Sequence, residues 1–144
     1  MNVIVNRLNK GGLSTVQIKK IVEFLSKNER KIKGEVEINI IGNKEIKKIN
    51  KIYRGIDSPT DVLSFAWQEE KSLKNSNFLG QIYLSVQRIK TQSKEYKVSE
   101  KEEFSRMLIH GLMHLVGFDH QKEGEAKKMF QKQEGYLKEI LKMI

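Results

Sequence analysis

The sequence predicts an α+β fold: one domain, residues 1–144, in which a small mixed β-sheet is covered by helices. Three observations lead there. The segments run strand, helix, strand, helix, strand, strand and then helices to the end, an order that suits one sheet with helices laid over it. At 144 residues the chain can bury a core and is short for two ordinary domains. No internal repeat, linker or low-complexity tract marks a boundary within it.

Each element has its own signal. VIV at 3–5 reads as a short strand. In STVQIKKIVEFLSK, Ile18, Ile21, Val22 and Leu25 share one helical face, and Ser14 with Gln17 forms a capping box at its start. EVEINII at 35–41 alternates, with Val36, Ile38 and Ile40 on one side, as a half-buried strand does. Asn43 is expected to cap a second helix carrying Ile46, Ile49 and Tyr53. A turn at Gly55 and Pro59 leads into a β-prone run from Asp61 to Trp67. EEKSLKNSN is a polar loop, and FLGQIYLS is the last strand. Ser85 opens a weaker helical pattern through Val86, Ile89 and Tyr96. Ser99 and Glu102 make a second capping box, whose helix runs until Gly117 stops it. Ala126, Met129, Phe130, Leu137, Ile140, Leu141 and Ile144 then repeat at helical spacing.

Composition narrows the class. No apolar run approaches the roughly 20 residues that span a bilayer, so a membrane protein is excluded from the reading. The start, MNVIVNRLNK, lacks the pattern of a secretory signal, and the absence of cysteine rules out disulfides; cytoplasmic residence is the expectation. Net charge is +9, and residues 1–60 hold 13 Lys+Arg against 6 Asp+Glu. Such a surplus suits a polyanionic partner, because neutralised phosphates release condensed counterions. Lys19, Lys20, Lys47, Lys48 and Lys51 also fall where solvated helix faces place lysines, so charge alone favours neither reading.

All three histidines of the chain lie in HGLMHLVGFDH, at His110, His114 and His120. His110 and His114 are one helical turn apart and point the same way, on a face other than the Phe104, Leu108, Leu112, Leu115 stripe. Met107, Ile109 and Met113 flank them, so the helix is apolar nearly all round and is expected to be buried. Gly117 can take the left-handed conformation that reverses the chain and swings His120 back toward the pair. Histidines at i, i+4 and i+10 with glycine at i+7 also mark zincin-like metal-binding helices. Three protein ligands leave a tetrahedral zinc one open position, the arrangement of catalytic sites; a structural zinc would need a fourth ligand, for which Asp119 is the convenient residue. Zincin peptidases follow the first histidine with a glutamate that serves as general base, whereas this chain has Gly111.

With HGLMHLVGFDH beside YRGIDSPTDVLSF and GQIYLS, the chain resembles the YbeY family of endoribonucleases and rRNA maturation factors over essentially its whole length. The family pattern HGxLHLxGYDH keeps its histidines, glycines and aspartate here, with Met113 and Phe118 at the changed positions. The arginine and TDVLSFP block becomes Arg54 and Thr60 to Phe65, with Ala66 in place of proline; GDIYIS becomes GQIYLS, with Gln81 in place of aspartate. The resemblance implies one Zn²⁺ per chain on His110, His114 and His120, and a functional arginine at Arg54. It further implies cleavage of single-stranded rRNA in 16S 3′-end maturation and ribosome quality control, with ribosomal or small-subunit components as partners. Arg54 offers a planar fork suited to phosphate and is the candidate catalytic residue. Thr60 and Ser64 are candidate substrate contacts beside Arg54, although TDVLSF is equally a good strand entry. Two other readings stay open: a non-catalytic ribosome assembly or RNA-binding factor with structural zinc, and a zinc peptidase.

Overall fold

A computed structural model describes residues 1–67, 77–118 and 122–144. The expected polar loop, apart from Asn77, lies outside the described residues, as do Asp119 and His120. The elements are β1 (Asn2–Arg7), α1 (Thr15–Asn28), β2 (Glu35–Ile41), α2 (Asn43–Arg54), β3 (Val62–Ala66), β4 (Phe78–Ser85), α3 (Val86–Glu95), α4 (Glu100–Leu115) and α5 (Glu123–Met143). The four strands form one sheet in the order β1-β2-β4-β3. β1 and β4 both run parallel to β2, and β3 is an antiparallel edge on β4. The mixed sheet under helices expected from the sequence is therefore present, with parallel pairing across three of its strands.

Alternation along the strands divides the interior in two. Val36, Ile38, Ile40, Ile82 and Leu84 enter the main core with Ile18, Ile21, Val22 and Leu25 of α1 and Phe104, Leu108 and Leu112 of α4. Met129, Leu137 and Ile140 of α5 join the same core. The opposite face carries a smaller cluster of Ile41, Leu63 and Ile46, with Ile49, Phe65 and Tyr83 packed against it. Ten of the sixteen residues of α4 are buried, as its apolar perimeter predicts.

The helix ends agree with the sequence in two places and depart from it in two. Ser14 and Gln17 form the full reciprocal box, at 3.1 and 3.0 Å. At the end of α4, the Phe118 N–H donates to Met113 O and the Gly117 N–H to His114 O, both at 3.1 Å, with Gly117 at φ +96°. That pair of bonds is a Schellman motif, so Gly117 does stop the helix. Asn43 is not a cap: Gly42 holds that position, and Asn43 Oδ1 accepts from the Ser85 hydroxyl at 2.8 Å, which ties α2 to the end of β4. Only half of the second box is present, because Ser99 Oγ accepts from the Glu102 N–H while the Glu102 carboxylate accepts from Arg106. Tyr96 and Phe130, counted in the apolar spacing of their helices, are 64% and 60% exposed.

Candidate metal centre

Central placement of α4 decides where the imidazoles go. With its other faces packed on the sheet and on neighbouring helices, the strip bearing His110 and His114 is half-buried and borders a cleft. The two rings meet edge to face, 4.5 Å between centroids at 75°. Their Nε2 atoms stand 3.0 Å apart. Two nitrogens on one tetrahedral zinc, each about 2.0–2.1 Å from it, are separated by roughly 3.3 Å, so this pair fits the ion with little adjustment. The Nδ1 of His110 lies 2.7 Å from Oε1 of Gln133 on α5. Among the described residues no set of three His, Cys, Asp or Glu side chains gathers around a point. His120, the third candidate, falls outside them; the Schellman turn that leads toward it is in place.

The cleft has a volume of about 1260 Å³ and brings the remaining candidates together: Arg54, Thr60, Ser64, His110 and His114 all line it. It wraps around edge strand β3, whose alternation turns Ser64 toward α4 and Phe65 toward α2. Arg54 is exposed at the last turn of α2, where Gly55 ends the helix in the left-handed conformation. Ser64 donates its hydroxyl to the Gly111 carbonyl at 3.0 Å, so it also ties β3 to the histidine helix. Thr60 donates to Asp61 Oδ1 at 3.2 Å, and the same oxygen accepts the Val62 N–H at 2.7 Å, a local turn that launches the strand.

Gly111 points into the sheet rather than into the cleft. A Cβ placed there would lie 3.1–3.2 Å from Ile82 Cγ2, Ser64 Oγ and Val62 Cγ2, which leaves no room for a glutamate. The missing peptidase base is thus a packing requirement of α4 against β3 and β4. Gln81 lines the cleft and donates to Glu37 Oε2 at 3.5 Å.

Several lining residues carried no functional weight in the sequence. Tyr53, which looked like part of a core face, is 69% exposed and stands edge-on to Phe65 at 5.3 Å; Phe65 meets Tyr83 at 5.9 Å. Burial first, then the nearby Glu37 charge, pushes the Tyr83 hydroxyl above its usual range, so it stays protonated. Trp67 lines the cleft as well. Gln133 is 5% exposed and sits in the buried register of α5 with Met129, Leu137 and Ile140; a polar residue in that apolar spacing was the signal that could have found it.

Fold and cleft together define a class: a small α/β domain whose central helix presents paired imidazoles to an open, arginine-bordered cleft. Comparison with known proteins agrees. The protein-family profile described as Endoribonuclease YbeY matches residues 5–141. The Endoribonuclease YbeY of Malacoplasma penetrans is 46% identical over 123 residues, covering 84% of this chain and 81% of its own. That of Bacillus licheniformis is 42% identical over 133 residues, covering 87% and 82%. The solution structure of TM1509 from Thermotoga maritima superimposes with a TM-score of 0.64 at 27% identity, over 95% of this chain and 89% of that one. The chain belongs to the YbeY endoribonuclease family.

Proposed function

We propose that the protein is a zinc-dependent, single-strand-specific endoribonuclease that acts in the cytoplasm in 16S rRNA 3′-end maturation and ribosome quality control, working on or near small-subunit components. One observation carries the reading: two imidazole Nε2 atoms 3.0 Å apart on the edge of the cleft that also presents Arg54. Family membership supports RNA as the substrate class. No helix among the described residues is long and apolar enough to cross a membrane.

His110, His114 and His120 would hold one Zn²⁺, with the fourth position left open. When bound, the ion supplies Lewis acidity toward a phosphoryl oxygen and brings a water into its reactive range near neutral pH. Arg54 binds the phosphate by its planar fork and neutralises charge that builds up on it. Tyr53 and Trp67 offer ring faces to unstacked bases, which a single strand exposes and a duplex does not. Thr60 and Ser64 border the strand path, each already engaged within the protein, so their part is to shape the wall and orient what lies against it.

The test is cleavage of a single-stranded rRNA fragment by purified protein, with metal content measured on the same sample. Wild type is expected to carry about one zinc per chain and to cut; His114→Ala is expected to lose both. A chain without zinc, whose melting temperature does not respond to added zinc, rules out the metal site. Cleavage undiminished in His114→Ala identifies a contaminating nuclease. Mapping of 16S 3′ ends in cells carrying either form then tests the biological role.

A further inference from the structure

Gln133 is buried on α5, and its amide is held from both sides. Its Nε2 donates to Glu134 Oε2 at 3.2 Å, and a carboxylate only accepts. That contact fixes which way the amide faces: Oε1 is the atom turned to His110, 2.7 Å from Nδ1. An amide oxygen also only accepts, so Nδ1 of His110 carries the proton and donates. With Nδ1 as the donor, Nε2, the nitrogen facing His114 and the cleft, is the ring atom left for a ligand.

Glu134 is itself anchored. Arg106 of α4 donates to it through Nε at 3.0 Å and through Nη2 at 3.1 Å, and reaches Glu103 at 2.6 Å and Glu102 at 3.2 Å. Glu103, 1% exposed, also accepts from Gln92 of α3 at 3.0 Å. The chain of contacts therefore runs from α3 through α4 to α5 and ends on a ring nitrogen of the site.

We infer that Gln133 is a positioning residue for metal capture: it sets the tautomer and the aim of His110, and Glu134 with Arg106 sets Gln133. The inference rests on the zinc reading above, yet half of it is measurable without any metal. Partners of this kind on the outer nitrogen of a ligating histidine typically account for 10- to 100-fold in metal affinity.

Two substitutions test it. Gln133→Leu removes the acceptor and keeps bulk; Gln133→Glu keeps an acceptor. Long-range ¹H–¹⁵N spectra of the metal-free protein should place the His110 proton on Nδ1 in wild type and in Gln133→Glu, with that preference lost in Gln133→Leu. Zinc affinity by chelator competition at fixed pH should fall about 10- to 100-fold in Gln133→Leu and hold in Gln133→Glu, and the visible bands of the cobalt(II) protein should shift in Gln133→Leu alone. The melting temperature of the metal-free variants separates these effects from loss of fold. A wild-type His110 protonated on Nε2, or a Gln133→Leu that binds zinc as wild type does, overturns the role of Gln133. A wild type that binds no zinc but shows the Nδ1–H tautomer overturns the zinc reading and leaves the positioning of His110 standing.

Discussion

Arg54 and Tyr53 are neighbours in sequence, both exposed on the last turn of α2, and neither supports the core. Their substitutions should therefore separate activity from stability. Arg54→Glu is expected to abolish cleavage of single-stranded RNA while moving stability by no more than about 0.5 kcal/mol, the usual range for surface changes. Retained cleavage would remove Arg54 from the phosphate site. Tyr53→Ala is expected to weaken RNA binding by about 1–3 kcal/mol if its ring stacks on a base, read as a drop in affinity, beside a loss of about 0.5–1.5 kcal/mol in stability from its edge contact with Phe65. Gly111 behaves in the opposite way. Its Cβ position is hemmed in by β3 and β4, so Gly111→Ala should cost about 1–3 kcal/mol of stability, visible in denaturant unfolding. The sequence exposed the absence of a glutamate at this position but not its cause, because the neighbours that fill the space come from Val62, Ser64 and Ile82, far off in the chain.

At the level of elements, α1 and α5 are clasped through Glu29 just past the end of α1. Its carboxylate accepts from Lys132 at 2.7 Å and from the Tyr136 hydroxyl at 2.5 Å. Burial pushes Glu29 up, but the bonds from Lys132 and Tyr136 outweigh it and hold the group below its usual value. Tyr136 is pushed well above the tyrosine range, by burial and then by its bond to Glu29. A carboxylate depressed in the folded state contributes stability that is complete above its unfolded pKa and is lost as pH falls through the folded value. Glu29→Gln should accordingly lower the melting temperature near neutral pH, with the gap to wild type closing as pH drops below about 4. An equal gap at all pH values would assign the effect to shape rather than charge. The Arg106 cluster should be less forgiving: Arg106→Leu leaves Glu103 buried without its cation, a loss of about 3 kcal/mol to be read in urea melts.

Helices and strands themselves were legible because hydrophobic period is local: Val36, Ile38 and Ile40, or Ile18, Ile21, Val22 and Leu25, declare their faces within a few residues. The histidine pair was legible for the same reason. Asn43 misled because a preferred cap residue found a partner from another element, the Ser85 hydroxyl. The spacing of α5 marks Gln133 as a buried polar residue, but its partner, His110, lies 23 residues away in sequence and only the fold names it.

For the molecule as a whole, charge of +9 is set mostly in the first sixty residues, and α2, which lines the cleft with Ile49, Ile52, Tyr53 and Arg54, also carries Lys44, Lys47, Lys48 and Lys51. Asp57 offsets Lys47 and Lys51 only at 3.9 Å, in solvent. Binding of a short RNA single strand should weaken steeply with salt, log K falling against log salt by about 0.7 for each phosphate neutralised. Arg54→Glu together with Lys48→Glu should flatten that slope; an unchanged slope would place the RNA elsewhere on the surface.

The setting of α4 also bears on how the molecule breathes. A helix enclosed by the sheet and by helices on its other sides exposes its amides only when most of the domain opens, so its backbone hydrogens should exchange with solvent at the slowest rate in the molecule, near the limit of global unfolding. The imidazoles ride on that slowest-exchanging segment. The placing of the pair should therefore be lost only together with the fold of the domain.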